Sequence, residues 1–371
     1  MTKTPLTPPR PLPQELGYAM PPEWDRHDAT WLAWPHHEPD WPGKFGPVPW
    51  IFADIVRHIA SAEHVHLLVQ SAAEKRAVTG ILNKSAVKLS SVTFHIQKTD
   101  RIWTRDSGPI FVRRARGKHS LAAVGWQFNG WAKYPNYHMD ERLPTLAAKA
   151  NGIPLWQPVE KDRKGKNCRL VLEGGSIDVN GAGCVLTTEE CLLSRVQQRN
   201  PGFTRDMVEK FLANYLGIQK VLWLGRGIAG DDTHGHIDDT ARFAAPDLIL
   251  ACTEPNRRDP NHRPLRENFR RLTAMRDAKG NQFGIAELPM PAPVIFDGQR
   301  LPASYANFYI CNAGVLVPVF NDPADLIALK VIEQAFRPRA IIPIYCRDLV
   351  WGLGTIHCMT QQQPAARRHR G

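Results

Sequence analysis

Apolar residues recur at helical spacing in three separate stretches of the chain. In residues 50–62, 205–216 and 324–336, apolar side chains return every three or four positions. β-prone runs follow such stretches, as at residues 64–70 and 340–345. The pattern predicts helices that alternate with strands, which is typical of an α/β protein.

Four pairs of β-prone runs, each pair with turn residues between its members, repeat at a nearly constant interval. The predicted hairpins are residues 109–127, 176–189, 240–253 and 307–320. Their turns, near Arg116, Gly181, Pro246 and Asn312, are 65, 65 and 66 residues apart. A fixed interval indicates a repeat architecture, and 371 residues hold between five and six such intervals. We therefore predict a five-bladed α/β-propeller with pseudo-fivefold repeats.

The fifth unit is expected to be built from both ends of the chain. Residues 356–360 form a β-prone run near the C-terminus, and residues 30–35 form another near the N-terminus. Pairing them would close the repeat and hide two sheet edges.

Cys358 is the predicted nucleophile. It follows Gly352 and Gly354, which let the backbone turn sharply, and it lies beside His357 in a polar segment. A buried cysteine is more often a small apolar core residue, but that role suits Cys184 and Cys311, which lie in apolar runs, better. His357 is expected to point to the opposite face of its strand, away from the chemistry.

Three carboxylates occupy equivalent places in successive repeats. Asp106, Glu173 and Asp238 precede their turns by 10, 8 and 8 residues, and Cys358 holds the corresponding place in the closing unit. The repeat therefore predicts that all four side chains converge on one central site.

Carboxylates near a thiol raise its pKa and repel a thiolate, so this grouping makes sense only for a cationic substrate. A guanidinium fits, because its planar fork of N–H donors pairs with carboxylates and its central carbon is electrophilic. Asp106 and Asp238 would hold the fork. His236 would be the general acid and then the general base, with Glu173 orienting its imidazole.

Composition and charge narrow the function classes. The chain is 43% hydrophobic and 22% charged, and its Pro-rich start resembles neither a signal peptide nor a membrane span, so a cytoplasmic location with no membrane partner is expected. Most of the net charge of +11 lies in the terminal tails and in residues 160–169, which argues against a nucleic-acid partner. We predict disordered tails at residues 1–17 and 365–371 around a single catalytic domain at 18–364.

A metal-dependent hydrolase is the distant alternative, from a different class of enzyme. Seven cysteines without a Cys-x-x-Cys pair argue against disulfides and a zinc site, and no metal or cofactor is predicted. A run of alternating acidic and imidazole side chains could still chelate a divalent ion in a hydrolase. These residues are Asp231, Asp232, His234, His236, Asp238 and Asp239. Strand alternation would split them between two faces and would leave Cys358 without a role. A noncatalytic scaffold is another alternative, but a scaffold would not need these side chains to converge on one site.

The chain resembles the agmatine deiminase family and the bacterial peptidylarginine deiminases of the same superfamily. The resemblance covers residues 18–364 and is carried by short segments at 20–25, 31–35, 103–109, 173–175, 235–238 and 356–362. It implies the pentein-type propeller of guanidine-modifying enzymes, a covalent amidino-thioether at Cys358, and the roles given above for the other four site residues.

The resemblance implies agmatine as substrate, hydrolysed to N-carbamoylputrescine and ammonia, with a possible place in putrescine biosynthesis. Trp103 would pack against the substrate's methylenes or lie against a cation, and packing in the core is the alternative role for its indole. Arg105 is expected to face away from Asp106, so that the pocket has no clamp for the carboxylate of free arginine. Two departures from the family pattern, at His234 and in the run Gly352-Leu353-Gly354-Thr355, leave peptidylarginine or another guanidino compound as alternatives. Assembly into a homo-oligomer is left open.

Overall fold

Helices and short strands alternate through residues 10–117 and 119–366, the part of the chain that the computed structural model describes. The α-helices are α1 (Val48–Ala60), α2 (Ala72–Lys84), α3 (Thr104–Ser107), α4 (Leu143–Asn151), α5 (Glu189–Leu193), α6 (Arg205–Leu216), α7 (His262–Ala274) and α8 (Ala324–Phe336). The strands are β1 (His27–Ala33), β2 (His64–Val69), β3 (Val92–Ile96), β4 (Ile110–Arg113), β5 (Leu121–Val124), β6 (Leu155–Trp156), β7 (Val159–Lys161), β8 (Asn167–Arg169), β9 (Asp178–Val179), β10 (Cys184–Thr188), β11 (Lys220–Leu224), β12 (Ala241–Ala245), β13 (Leu248–Thr253), β14 (Gly284–Pro289), β15 (Ile295–Phe296), β16 (Gln299–Arg300), β17 (Tyr309–Cys311), β18 (Gly314–Val319), β19 (Ile341–Tyr345) and β20 (Gln361–Pro364).

Five sheets of three or four strands share one local pattern among the described residues. In the sheets β4–β5–β6, β9–β10–β11, β12–β13–β14 and β17–β18–β19, an antiparallel hairpin is followed by a parallel third strand. The fifth sheet has the order β20–β1–β2–β3, in which β20 is antiparallel to β1 and β1 is parallel to β2. The four predicted hairpins are confirmed, and so is a unit that both ends of the chain complete.

The three predicted helices are confirmed as α1, α6 and α8. Helix α6 shows how the sequence sets such bounds. The Thr204 hydroxyl accepts a hydrogen bond from the Met207 amide at the start, and Gly217 adopts a left-handed conformation (φ +68°) at the end. Its buried residues are Val208, Phe211, Leu212, Tyr215 and Leu216.

The predicted strand at residues 356–360 is wrong. This segment turns, and the Thr360 hydroxyl donates to the carbonyls of Ile356 and His357 at 3.0 and 3.1 Å. The pairing strand is β20, five residues further along, where Gln361 and Gln362 lie opposite Trp31 and Thr30. Gln362 and Gln363 can form a buried strand here because their side-chain oxygens are paired, with Arg105 at 2.6 Å and with the Trp31 indole at 2.9 Å.

The predicted tails lie partly outside the described residues, which exclude residues 1–9 and 367–371. Within the first tail, residues Gln14–Leu16 form a 3₁₀ turn and Leu12 is buried in an apolar cluster with Tyr18. This part of the predicted tail is therefore packed against the protein, because Leu12 contributes to the apolar core. The single-domain boundaries stay a prediction.

The apolar core is divided into three clusters, of which the largest includes Trp103 and Cys358. The site described below therefore lies against the core. Among the described residues, none of the helices is long and apolar enough to cross a membrane. The cytoplasmic location stays a prediction.

Candidate active site

The predicted site residues lie in short turns just ahead of the first strand of a sheet. Asp106 lies in α3 before β4, Glu173 precedes the 3₁₀ turn Gly174–Ser176 before β9, and Asp238 lies in the turn Ile237–Asp239 before β12. Cys358 lies in the turn before β20. The equivalence inferred from the spacing of the repeats is therefore present in the fold.

These turns bring the predicted residues together around the imidazole of His236. Its Nδ1 is 3.9 Å from Asp106 Oδ1 and 4.0 Å from Asp238 Oδ1, and its Nε2 is 4.0 Å from Glu173 Oε2. The Sγ of Cys358 is 3.8 Å from Asp238 Oδ2. All five side chains are almost wholly buried, so their charges interact in a medium that screens them poorly.

Gly175 is what lets these groups approach one another. A Cβ atom at this position would lie 2.5 Å from His236 Nδ1, 2.9 Å from Asp106 Oδ1 and 3.1 Å from Asp238 Oδ2. The Gly175 amide also donates to Asp106 Oδ1 at 3.0 Å. A glycine is required here because only its backbone fits between the three functional side chains.

His236 is poised to carry a proton. Burial on its own would lower the pKa of His236, but Asp106, Cys191 and Asp238 raise it well above its ordinary value. Neither ring nitrogen has a hydrogen-bond partner within the described residues. The imidazole is therefore a charged donor that is free to meet a substrate.

Asp106 is held between two donors, with the Gly175 amide on Oδ1 and the Trp131 indole at 2.9 Å on Oδ2. Burial raises the pKa of Asp106 to about 6; His236 lowers it, and Asp238 and Glu173 raise it. The site thus carries an excess of negative charge in the absence of a cation.

Glu173 is fixed by a buried ion pair. Arg199 Nε donates to its Oε1 at 2.9 Å, and both side chains are 0% exposed. Its Oε2 has no hydrogen-bond partner in the described part of the chain and faces His236. Arg199 therefore orients the carboxylate that would orient the imidazole.

Asp238 is oriented by His357, whose Nδ1 lies 2.7 Å from Asp238 Oδ2. The Nε2 of His357 lies 2.8 Å from Glu23, which also pairs with Arg105 at 3.2 Å and Arg242 at 3.1 Å. Burial would raise the pKa of Asp238, but the hydrogen bond and charge of His357 lower it below its ordinary value. His357 thus supports a carboxylate, and Arg105 pairs with Glu23 rather than with Asp106.

Asn307 holds the thiol of Cys358. Its Nδ2 donates to Cys358 Sγ at 3.1 Å and to Asp239 Oδ1 at 3.0 Å, while its Oδ1 accepts from the His357 amide at 3.0 Å. Burial and the charges of Asp238, Asp239 and Asp106 raise the pKa of the Cys358 thiol well above its ordinary value. The thiol is therefore protonated until a positive charge arrives.

A small cavity of about 30 Å³ reaches the thiol. Its lining includes the charged side chains of Asp106, Arg101 and Asp232, the thiol of Cys358, and the aromatic side chains of Trp103, Trp131 and Tyr134. Trp103 packs against Trp41 with ring centroids 5.9 Å apart. Arg101 is paired with Asp40 at 3.1 Å and lies over the Tyr134 ring. Larger cavities lie elsewhere on the surface, away from Cys358.

The acidic run at 231–239 does not form one metal cluster. Asp231 accepts hydrogen bonds from the Thr233, Gly235 and His236 amides, which shapes the loop, and Asp232 binds Lys133 and Tyr134. A group with the spacing of metal ligands does occur in the described residues. It consists of Glu173, Cys191 and His236, and it shares only His236 with the predicted set.

Of the two departures from the family pattern, His234 lies outside the cavity and the run at residues 352–355 borders it. His234 adopts a left-handed conformation (φ +65°), and its Nε2 is 3.2 Å from Ser194 Oγ in a separate surface pocket. The Thr355 hydroxyl donates to Asn307 Oδ1 at 2.7 Å, behind the thiol. Gly352 and Leu353 of the same run line the cavity beside Cys358, so this departure can affect the substrate directly.

The sequence analysis gave no role to four residues that lie against the site in the structure. These residues are Asn307, Arg199, Trp131 and Cys191. Asn307 entered only as the start of a predicted hairpin. A signal for Asn307 exists, since it occupies the place before β17 that Asp106, Glu173 and Asp238 occupy before their own hairpins.

Known proteins with the same overall fold include agmatine deiminases. The structure of the agmatine deiminase of Enterococcus faecalis catalysing its reaction superposes with a TM-score of 0.86 at 30% identity, covering 96% of this chain and 98% of that one. A variant of C. jejuni agmatine deiminase with substrate bound superposes with a TM-score of 0.81 at 27% identity, covering 95% and 97%. The agmatine deiminase of Ectopseudomonas mendocina is 34% identical over 373 aligned positions, covering 95% of this chain and 97% of that one.

The mixed α/β fold and these relatives define a hydrolase of the class that acts on guanidino groups. Residues 19–364 match Porphyromonas-type peptidyl-arginine deiminase. The chain belongs to this family, which is also the family of the agmatine deiminases.

Proposed function

We propose that the protein hydrolyses agmatine to N-carbamoylputrescine and ammonia through a covalent intermediate on Cys358. The observation that carries the proposal is the convergence of Cys358, His236, Asp106 and Asp238, of which Cys358 and Asp106 line a small cavity. We further propose that the five sheets are arranged around a common axis as a propeller, with this cavity at its centre.

The charge of the site supports a cationic substrate. Asp106 has a raised pKa and Asp238 Oδ1 is buried without a partner among the described residues, so both gain from a guanidinium. The same positive charge offsets the carboxylates that raise the pKa of Cys358. Substrate binding thereby promotes the thiolate that attacks it, and the thiol stays protonated in its absence.

The reaction then proceeds in two balanced halves. The thiolate of Cys358 attacks the guanidinium carbon, and His236 donates its proton to the departing amino group, which leaves as ammonia. A water molecule next gives a proton to His236 and attacks the amidino-thioether. Collapse of this adduct breaks the C–S bond and releases the ureido product, and the proton of the adduct's hydroxyl passes to sulfur. This restores the thiol, whose own proton was lost to solvent when the substrate bound. Glu173, fixed by Arg199, keeps the imidazole oriented through both halves.

The cavity supports a small diamine derivative over a peptide. Trp103 and Trp131 border it and offer apolar surface to a methylene chain. Asp232 also lines the cavity, and Lys133 and Tyr134 bind its two carboxylate oxygens, so the second ammonium of agmatine would share this carboxylate with Lys133. Arg101 also borders the cavity, but its pairing with Asp40 makes it a poor clamp for the carboxylate of free arginine.

The experiment that tests the proposal is a comparison of kcat/KM for agmatine, free arginine and an arginine-containing peptide in one buffer, with ammonia release as the readout. We expect agmatine to be preferred by at least about 100-fold, because the wrong substrates leave a charge unpaired. Higher kcat/KM for the peptide or for arginine would overturn the substrate and leave the cysteine mechanism standing. Activity that requires an added divalent ion and survives Cys358→Ala would overturn the mechanism.

A further inference from the structure

A second thiol lies behind the imidazole that the proposed reaction uses. Cys191 in α5 is 0% exposed, and its Sγ, a ring nitrogen of His236 and a carboxylate oxygen of Glu173 all lie within 4.8 Å of one another. The proposed hydrolysis assigns no task to Cys191. It is nevertheless the one cysteine that the described residues place in such a group.

Thr188 fixes the relative positions of this thiol and the imidazole. Its hydroxyl accepts a hydrogen bond from the Cys191 amide at 3.0 Å and donates to the carbonyl of Gly235, the residue before His236. One side chain therefore holds both the start of α5 and the loop that carries the imidazole. The three groups are positioned before any ligand arrives.

The atoms that face one another in this group lack other partners. Glu173 Oε2 and both ring nitrogens of His236 are buried without a hydrogen bond in the described part of the chain. Unpaired buried polar atoms cost free energy and are rare unless something binds them. Arg199 occupies the other oxygen of Glu173, so a single oxygen is left for a ligand.

A thiolate, an imidazole and a carboxylate are together the preferred donors of Zn²⁺. Tetrahedral coordination with ordinary bond lengths places such donor atoms roughly 3.3–3.6 Å apart. The present separations, 4.0 Å between His236 Nε2 and Glu173 Oε2 and 4.8 Å at most within the group, require donor atoms to close by up to about 1.5 Å. Asp106 and Asp238 on the other side of His236 add negative charge that attracts a cation.

We propose that Glu173, Cys191 and His236 form an inhibitory Zn²⁺ site. Zn²⁺ displaces one proton from the charged imidazole and one from the Cys191 thiol, and it takes the lone pair of His236 and the free oxygen of Glu173. The imidazole can then neither donate nor accept the protons of hydrolysis. The inhibition rests on the proposed function, whereas the binding of the metal does not. This site differs from the metal-hydrolase alternative, because here Zn²⁺ stops the reaction.

Binding is tested first without any activity assay. Chelator-treated protein should take up one Zn²⁺ per chain in competition with a chromophoric chelator, and one Co²⁺ per chain with an absorption band from thiolate-to-metal charge transfer. Cys191→Ser should remove the band and weaken Zn²⁺ binding by at least about 100-fold, more than the 10–100-fold typical of losing an outer partner of a ligand. The variants Cys358→Ala and Cys346→Ser, which replace other buried cysteines, should keep both the absorption band and the tight binding of Zn²⁺.

Activity is tested second, through ammonia release. Zn²⁺ should inhibit the wild-type protein, an added chelator should restore the rate, and Cys191→Ser should need at least about 100-fold more Zn²⁺ for the same inhibition. If the protein releases no ammonia from any guanidino compound, the proposed function fails and the binding experiment still decides the site.

Three results would overturn the proposal. These are the absence of stoichiometric Zn²⁺ uptake, a charge-transfer band that is lost in Cys358→Ala, and binding that survives Cys191→Ser. If Cys191→Ser does not fold, His236→Gln in the Cys358→Ala background must remove the cobalt band. Persistence of the band in that double variant would contradict the assignment equally.

Discussion

Gly175→Ala should disable the site through one added methyl group. The new Cβ would lie 2.5 Å from His236 Nδ1, whereas ordinary contacts are 3.4–4 Å, so the imidazole must retreat by about 1 Å. Gly175 lies outside the left-handed region, so alanine can adopt its backbone. The damage is therefore confined to the three side chains around it.

A misplacement of about 1 Å in a catalytic group can cost roughly 100-fold in rate, or about 2.7 kcal/mol of transition-state stabilisation. We expect this loss mainly in kcat, because His236 acts in proton transfer and the carboxylates that hold the substrate are displaced less. Crowding should also lower the free energy of unfolding by about 1–3 kcal/mol.

The assay is steady-state ammonia release from agmatine, with thermal unfolding measured in parallel. Gly80→Ala is the matched control, since a Cβ there meets no atom within 4 Å and alanine favours the helix that contains it. The control should keep its activity and its stability. A folded Gly175→Ala protein with kcat within about threefold of wild type would refute the idea that close approach at this glycine sets the catalytic geometry.

Three further predictions concern charge and the nucleophile. Cys358→Ala should abolish turnover and still bind agmatine by calorimetry; residual turnover in the purified variant would contradict a nucleophilic role. Asp106→Asn should lower kcat/KM roughly 150-fold or more, which corresponds to about 3 kcal/mol of lost transition-state stabilisation, because it leaves a buried cation half paired. Wild-type kinetics in this variant would show that Asp106 does not hold the substrate. Because the pKa of Asp106 is raised to about 6, this carboxyl takes up a proton as the pH falls through 6, and kcat/KM should fall with it. In the pH profile of kcat, the fall on the acidic side should occur at lower pH, since a bound guanidinium stabilises the carboxylate. A kcat/KM that stays constant between about pH 5 and 7 would exclude this titration.

The repeats were predictable because each hairpin carries its own local signal. Strands β12 and β13, for example, are apolar runs on either side of Pro246 and Asp247, a pair typical of turns. Strand β20 was missed because its glutamines have no β-prone pattern and are stabilised only by distant partners, such as Trp31 and Arg105. Local pattern cannot reveal a strand whose stability comes from tertiary hydrogen bonds.

The site residues show the same difference between local sequence signals and contacts that form only in the folded chain. The positions of Asp106, Glu173, Asp238 and Cys358 followed from the repeat, because ionisable residues beside glycines stand out in sequence. Asn307 did not stand out, since its importance lies in bonds to a thiol and a carboxylate that are distant along the chain. Arg199 was one of many arginines until its guanidinium was found against Glu173.

The pairing of β20 with β1 also orders events during synthesis on a ribosome. Trp31 and its partner Gln363 are separated by 332 positions, so β1 emerges long before the strand that covers its edge. Contacts of such long range form late and slowly. Because Cys358 lies in the turn that leads into β20, the nucleophile enters the site only when this last strand docks. A nascent or truncated chain that lacks β20 should therefore contain all the carboxylates of the site and show no catalysis. A ligand that binds those carboxylates would then assist the folding of such a chain before it becomes a substrate.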